Sequence, residues 1–336
     1  MSDVTVTAEK NAPNLKLADR IEIIKNKPAF SFAFPITVLL IIICIFGFAT
    51  GGRFFTANVL RGVFNQAIII GTMATAVSFI YTTGNLDISV GNSMALAATM
   101  GALVYNGTGN IVLMIGTSIV IGIVLSLFNC TMSVVFKVKS ITVAIVMIQL
   151  YSAIVSNILG PNVLKVDYAV CKNLENMGFR STSLILYFVL CFVVFHMTST
   201  GRMLRFIGGN EVCADQTGMS ANKAKYISFF MAGIGVGLAA VFTVIRTGSV
   251  GPDVGSGMGM DVMLATVLGG MSIFGGAKSN TYAGLMGALT VSALNKGMLM
   301  VGVSASVIQG VRGVIFLILV FMNSERNNTL PSRQQV

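Results

Sequence analysis

Two carboxylates, with the glycines around them, are the residues in this chain best placed to do chemistry. Asp87 lies in Thr83-Gly84-Asn85-Leu86-Asp87-Ile88-Ser89-Val90-Gly91, and Asp261 ends Gly251-Pro252-Asp253-Val254-Gly255-Ser256-Gly257-Met258-Gly259-Met260-Asp261. Both segments interrupt long apolar runs. An Asp at the centre of a membrane-spanning helix is opposed by roughly 2.5–3.5 kcal/mol on insertion scales. Backbone that leaves the helix at that depth persists only where protein or a water-filled cavity covers it. Broken helices of this kind are how transport proteins build a path through a bilayer. The candidate path residues are therefore Gly84, Asp87, Ser89, Gly91, Gly257 and Asp261. Each carboxylate could cap the helix that follows and stabilise the bend, or touch a solute or proton directly. The capping role is favoured.

Other chemistries fit poorly. His196 is the single histidine and reads as an interfacial or hydrogen-bonded packing residue. Gly233-Ile234-Gly235-Val236-Gly237 lacks the preceding strand and later acidic residue of a dinucleotide fold, so helix packing explains it better. No G-x-x-x-x-G-K-[ST] occurs, so the chain cannot cradle ATP phosphates in that manner, and any ATP-driven step falls to another subunit. Cys44, Cys130, Cys171, Cys191 and Cys213 are scattered without CxxC spacing, which argues against a disulfide framework or a metal site. With no nucleophile–base pair in view, a membrane enzyme is disfavoured.

The elements that must position the two breaks are membrane helices. Only 10% of the 336 residues are charged and the mean hydropathy is +0.84, whereas a soluble domain carries about 25% charged residues. Apolar runs of roughly 17–25 residues recur, each long enough to cross about 30 Å of hydrocarbon. An all-α polytopic fold of ten helices is expected, near 31–50, 59–83, 88–107, 110–136, 140–159, 182–198, 226–247, 261–275, 282–300 and 304–322. The helices after the two breaks, the third and the eighth, then run in opposite directions, as inverted repeats demand.

Residues 1–30 are assigned to a cytoplasmic N-terminal segment, 31–323 to the membrane domain and 324–336 to a cytoplasmic tail. The first 27 residues are polar, with no early apolar region and cleavage site, which argues against a removed signal peptide. The net charge of +10 sits in short loops and at the N-terminus rather than along one face, so it reads as a topology signal and not as a nucleic-acid surface. Summed by side, Lys and Arg favour cytoplasmic N- and C-termini, with Arg53, Arg61, Arg246, Lys296 and Arg312 counted on the opposite side.

The inner loop near 199–225 predicts a short helix at 211–217. Asn210 can act as its N-cap, Glu211 suits the positive end of its dipole, and Gly218 can end it in the left-handed region. Held between two spans, such a helix is a mechanical contact for a soluble partner, or else a capped surface turn that binds nothing.

These segments together resemble the membrane permease subunit of bacterial ABC importers for sugars, of the ribose, xylose, galactose and autoinducer-2 type. Thr83 to Gly91 is similar to that family's T-G-G-I-D-L-S-V-G, and Gly201 to Met219 to its G-R-…-G-G-N-x-E-A-A-…-S-G-I loop. Gly255 to Gly270 resembles G-x-G-x-E-L-x-A-I-A-A-V-V-L-G-G, and Gly275-Gly276 follows as in the family. The similarity spans about 55–322. Val212 and Cys213 stand where two alanines are usual, Asp215 where a basic residue is common, Gly259 where Glu is usual, and Ala277-Lys278-Ser279-Asn280 replaces a more glycine-rich turn.

The resemblance implies a multi-pass protein of the bacterial plasma membrane that moves a sugar or sugar-like solute inward by alternating access. Cytoplasmic ABC ATPase subunits, carrying ATP and Mg, would dock on Asn210, Glu211, Val212, Cys213, Ala214 and Gly218. An extracytoplasmic solute-binding protein would deliver the solute, and a second copy or a paralogue would complete the pathway. Amino-acid permeases of the same general fold lack the G-x-D-L-S-V-G segment, which points to carbohydrate. The rival expectation is an ion-coupled secondary transporter acting alone, with Asp87 and Asp261 as its coupling groups.

Overall fold

The computed structural model describes residues 28–323 except 177, 273, 274, 277 and 278. The expected cytoplasmic segment before residue 28, the tail 324–336, and Ala277 and Lys278 lie outside the described residues. The chain is an all-α membrane protein. Its helices are α1 (Pro28–Ala49), α2 (Ala57–Thr82), α3 (Val90–Thr108), α4 (Ile111–Val135), α5 (Ser140–Leu159), α6 (Tyr168–Asn176) and α7 (Phe179–Phe192). A π turn, Val193–Met197, follows, then α8 (Ser199–Gly209), α9 (Glu211–Gln216), α10 (Ala221–Thr247), α11 (Met258–Leu268), α12 (Ala283–Met300) and α13 (Ala305–Asn323). A two-residue ribbon pairs β1 (Leu164–Lys165) with β2 (Ser249–Val250), antiparallel. Among the described residues five helices are long and apolar enough to cross a membrane: α2, α4, α5, α7 with its π turn, and α10.

Two expected helices change extent for physical reasons. The seventh starts at Ala221 rather than near 226, because Ser220 Oγ accepts from Lys223 N and caps a polar first turn that hydropathy passes over. The eighth is α11, Met258–Leu268, not 261–275. Beyond it Gly270, Gly275 and Gly276 all adopt positive φ, so an apolar stretch that reads as helix is irregular backbone.

The core is built on α2 and α10, which are buried along most of their length. Gly233 and Gly237 face α4. A Cβ at Gly237 would lie 2.4 Å from Ile119 Cα, and one at Gly122 would lie 2.6 Å from Gly237 N. Gly235 faces the other way, where a Cβ would lie 2.4 Å from Ala76 Cβ on α2. Small residues let helix backbones touch where no hydrophobic force drives them together.

The same arrangement recurs on the other side. α2 packs on α12 as α10 packs on α4, and α3 packs on α4 as α11 packs on α12. The four helices α2–α5 thus correspond to α10–α13. The helices that follow the two breaks, α3 and α11, run in opposite directions. The C-terminal end of α3 reaches the ribbon, where Asn106 Nδ2 donates to Lys165 O at 3.0 Å. The chain leaving α11 instead reaches the far end of α2, where Gly276 N donates to Thr82 O at 3.1 Å.

Replacing Gly237 by Val should destabilise the fold by about 1–3 kcal/mol or more through overpacking. Gly116→Ala, where a Cβ meets nothing within 4 Å, should be neutral or slightly stabilising on helix propensity. Thermal melting of the detergent-solubilised protein, followed by size-exclusion chromatography, separates the two outcomes.

Candidate functional site

The first break begins where α2 ends. Gly84 turns the chain at φ +73°, and Asn85 Oδ1 accepts from Ser140 Oγ at 3.0 Å, tying the break to the start of α5. Asp87 is buried. Its Oδ1 accepts from Ser89 N at 2.8 Å and Ser89 Oγ at 2.6 Å, and its Oδ2 accepts from Asn129 Nδ2 on α4 at 3.2 Å. Asn129 Nδ2 also reaches Ser89 Oγ at 2.8 Å, while Asn129 Oδ1 accepts from Tyr151 OH on α5 at 2.6 Å. The carboxylate orders the turn into α3 through the Ser89 amide and is itself held from two neighbouring helices.

Asp261, in the first turn of α11, is equally buried. Side chains rather than backbone amides hold it. Arg312 Nη1 on α13 lies 3.0 Å from Oδ1 as an ion pair, and Asn295 Nδ2 on α12 donates to Oδ2 at 3.1 Å. Arg312 Nε donates to Asn295 Oδ1 at 2.9 Å, closing a triangle. Arg312 therefore belongs inside the helix bundle, not with the loop charges of the outer side.

The two clusters share one plan. An Asp opens the helix after each break, an Asn amide from the next helix donates to it, and the Asn oxygen accepts a hydrogen bond from the helix after that. Tyr151 fills the last place in one half and Arg312 in the other. Asn129, Tyr151, Asn295 and Arg312 escaped the sequence reading. The available signal was a polar side chain inside an apolar helix, which by default marks a functional position.

The starts of α3 and α11 meet backbone to backbone. A Cβ at Gly259 would lie 1.9 Å from Ile88 O, one at Gly255 would lie 2.5 Å from Gly91 O, and one at Gly91 would lie 2.7 Å from Gly259 N. Gly259, a departure from the motif, thus has a steric reason here: no side chain fits.

The inner segment forms a compact bracket. Asn210 Oδ1 accepts from Cys213 N at 3.1 Å and caps α9. At the other end Gly218, at φ +80°, donates to Asp215 O at 3.0 Å and Met219 N donates to Ala214 O at 3.1 Å, the paired bonds of a Schellman stop. Ala214 is buried, whereas Glu211, Val212 and Cys213 are exposed. Glu211 and Lys225 lie 3.9 Å apart, a surface pair worth about 0–1 kcal/mol. One helix earlier, α8 ends against the entry to the first break and the chain leaving α11: a Cβ at Gly208 would lie 1.8 Å from Thr82 O and 2.9 Å from Gly276 N. The π turn before α8 places His196 against Phe192, with ring centroids 4.5 Å apart.

Outside the spans, burial and the nearby Asp167 push the thiol of Cys171 in α6 up from its ordinary value. Among the described residues no group of His, Cys, Asp and Glu is arranged to hold a metal ion.

A family model described as branched-chain amino acid transport system / permease component matches residues 59–320. The ribose import permease protein RbsC of Escherichia coli (strain K12) is 26% identical over 299 residues, covering 86% of this chain and 92% of its own. RbsC of Bacillus subtilis (strain 168) is 27% identical over 308 residues, covering 87% and 92%. The autoinducer 2 import system permease protein LsrD of Photorhabdus temperata is 25% identical over 334 residues, covering 90% and 98%. No solved structure matches the chain.

Removing one partner of a buried ion pair leaves a charge uncompensated, at about 3–5 kcal/mol. Arg312→Met should therefore lower the melting temperature sharply, and adding Asp261→Asn should recover much of the loss. A double-mutant cycle on the solubilised protein measures this. Equal melting of Arg312→Met and the parent would show that the pair contributes nothing.

Proposed function

The chain belongs to the family of branched-chain amino acid transport system permease components, and from that premise we propose that it is the membrane permease subunit of an ATP-driven importer for a sugar or sugar-like solute. The carbohydrate class follows the relatives described as ribose and autoinducer 2 import permeases, which align along most of their length. One observation carries the mechanism. The segment that presents α9 to the surface also ends, at Gly208, on the backbone of Thr82 and Gly276. A push on α9 thereby reaches the entry to the first break and the exit from α11 together.

In this reading ten helices traverse the bacterial plasma membrane with both termini cytoplasmic. Two ATPase subunits, holding ATP and Mg, dock on Asn210, Glu211, Val212, Cys213, Ala214 and Gly218. Their closure moves α8 and α9, and the broken helices α3 and α11 exchange outward for inward access. Gly84, Asp87, Ser89, Gly91, Gly257 and Asp261 shape the path. An extracytoplasmic binding protein supplies the solute, and a second copy or a paralogue forms the other wall.

Mass spectrometry of what co-purifies with the tagged chain from native membranes tests the assembly. A Walker-motif ATPase and a secreted binding protein are expected. A chain that purifies alone yet supports gradient-driven uptake in vesicles would overturn the reading. Glu211→Lys removes only a weak surface pair, so the variant should fold normally while solute uptake falls to background and ATP hydrolysis runs uncoupled from it. Normal uptake by that variant would sink the docking assignment.

A further inference from the structure

The second of the two carboxylate clusters opens to the surface where the first is sealed. Tyr151, which completes the first, is buried at 2% exposure. Arg312, which completes the second, borders a cavity of about 250 Å³ lined by Ser256, Gly257, Met260, Gln309 and Arg312. That volume lies just below the range of about 300–1,000 Å³ typical of drug-sized sites and suits a smaller solute.

The lining groups converge. Gly257 turns at φ +73°, and a Cβ there would meet Arg312 Nη1 at 3.3 Å and Gln309 Nε2 at 3.4 Å. The glycine leaves that space empty beneath two donors. Gln309 and Arg312 stand about 6 and 10 Å along α13 from its first residue, at 1.5 Å per residue. Along this first half of α13, Ser306 and Gln309 are exposed beside Ala305, Val307 and Gly310, whereas the second half exposes the large apolar Val314, Leu317, Ile318 and Phe321. An exposed amide is a poor neighbour for lipid chains, so the Gln309 side of α13 must face water or protein.

We propose that this cavity is a solute-contact site on the translocation path, taking an uncharged, polyhydroxylated solute. The proposal rests on the importer reading and adds to it the groups that touch the cargo. Asp261 neutralises Arg312 and Asn295 occupies its Nε, so the site carries no net charge with which to select an ion. Of the five guanidinium N–H donors, the Nε–H is committed to Asn295, while Nη1 is held beside Asp261 as an ion pair. The remaining donors, the Gln309 amide and the Ser256 hydroxyl together give and accept hydrogen bonds, as adjacent hydroxyls require. Met260 supplies apolar surface for the C–H side of a sugar ring.

The test uses the full importer in proteoliposomes, with Gln309→Cys introduced and its modification read at that residue by peptide mass spectrometry, so that the exposed Cys44 and Cys213 stay in place. A water-soluble, charged methanethiosulfonate reagent should modify the new thiol, and D-ribose should slow the reaction several-fold while ribose 5-phosphate does not. Leu317→Cys, on the apolar half of α13, should resist the reagent. An unreactive Gln309→Cys overturns the site. So does modification at the same rate with and without D-ribose in a complex that still imports ribose, and that outcome leaves the importer reading intact. A chain that assembles with no ATPase removes both.

Discussion

Everything in this chain is arranged around two helix N-termini that meet inside an apolar bundle. The first turn of a helix carries four unpaired N–H groups and about half a unit of positive charge. Bringing two such ends together in a low-dielectric interior sets like partial charges against each other. Asp87 beside α3 and Asp261 within α11 place negative charge at both ends, and each acid must then be satisfied in turn. Asn129, Tyr151, Asn295 and Arg312 are that next layer, drawn from the helices that follow each break. The glycines Gly91, Gly255 and Gly259 allow the ends to touch at all.

The long helices answer the same constraint. Irregular backbone at membrane depth needs cover, and α2 and α10 supply it as walls buried along most of their length. Close backbone contacts at Gly122, Gly233 and Gly237 fix α10 against α4 without long side chains between them. Polar groups at the breaks therefore sit in a closely packed frame.

Much of this was legible in the sequence, for identifiable reasons. The breaks announce themselves because Gly and Asp inside apolar runs are costly. The α9 bracket is readable because Asn210 and Gly218 act through bonds a few residues away. The Asp–Asn–donor clusters are not readable in that way: their partners stand 42 residues apart for Asp87–Asn129 and 34 apart for Asp261–Asn295, and no local rule pairs them. Residues 269–275 misled because hydropathy registers their apolar side chains but not the positive φ of Gly270 and Gly275. α8 went unread because an amphipathic helix of eleven residues between two spans looks, by composition, like loop. Nor could the internal repeat be seen from residue identity, since the halves share a bonding plan while using Tyr in one and Arg in the other.

That plan has a kinematic consequence. Because α3 and α11 abut at one point and extend from it in opposite directions, they cannot tilt independently without parting their backbones. The contact works as a shared fulcrum. A tilt that widens the space on one side of it narrows the space on the other. In the proposed alternating-access cycle, a see-saw of this design would link the two motions through a single contact.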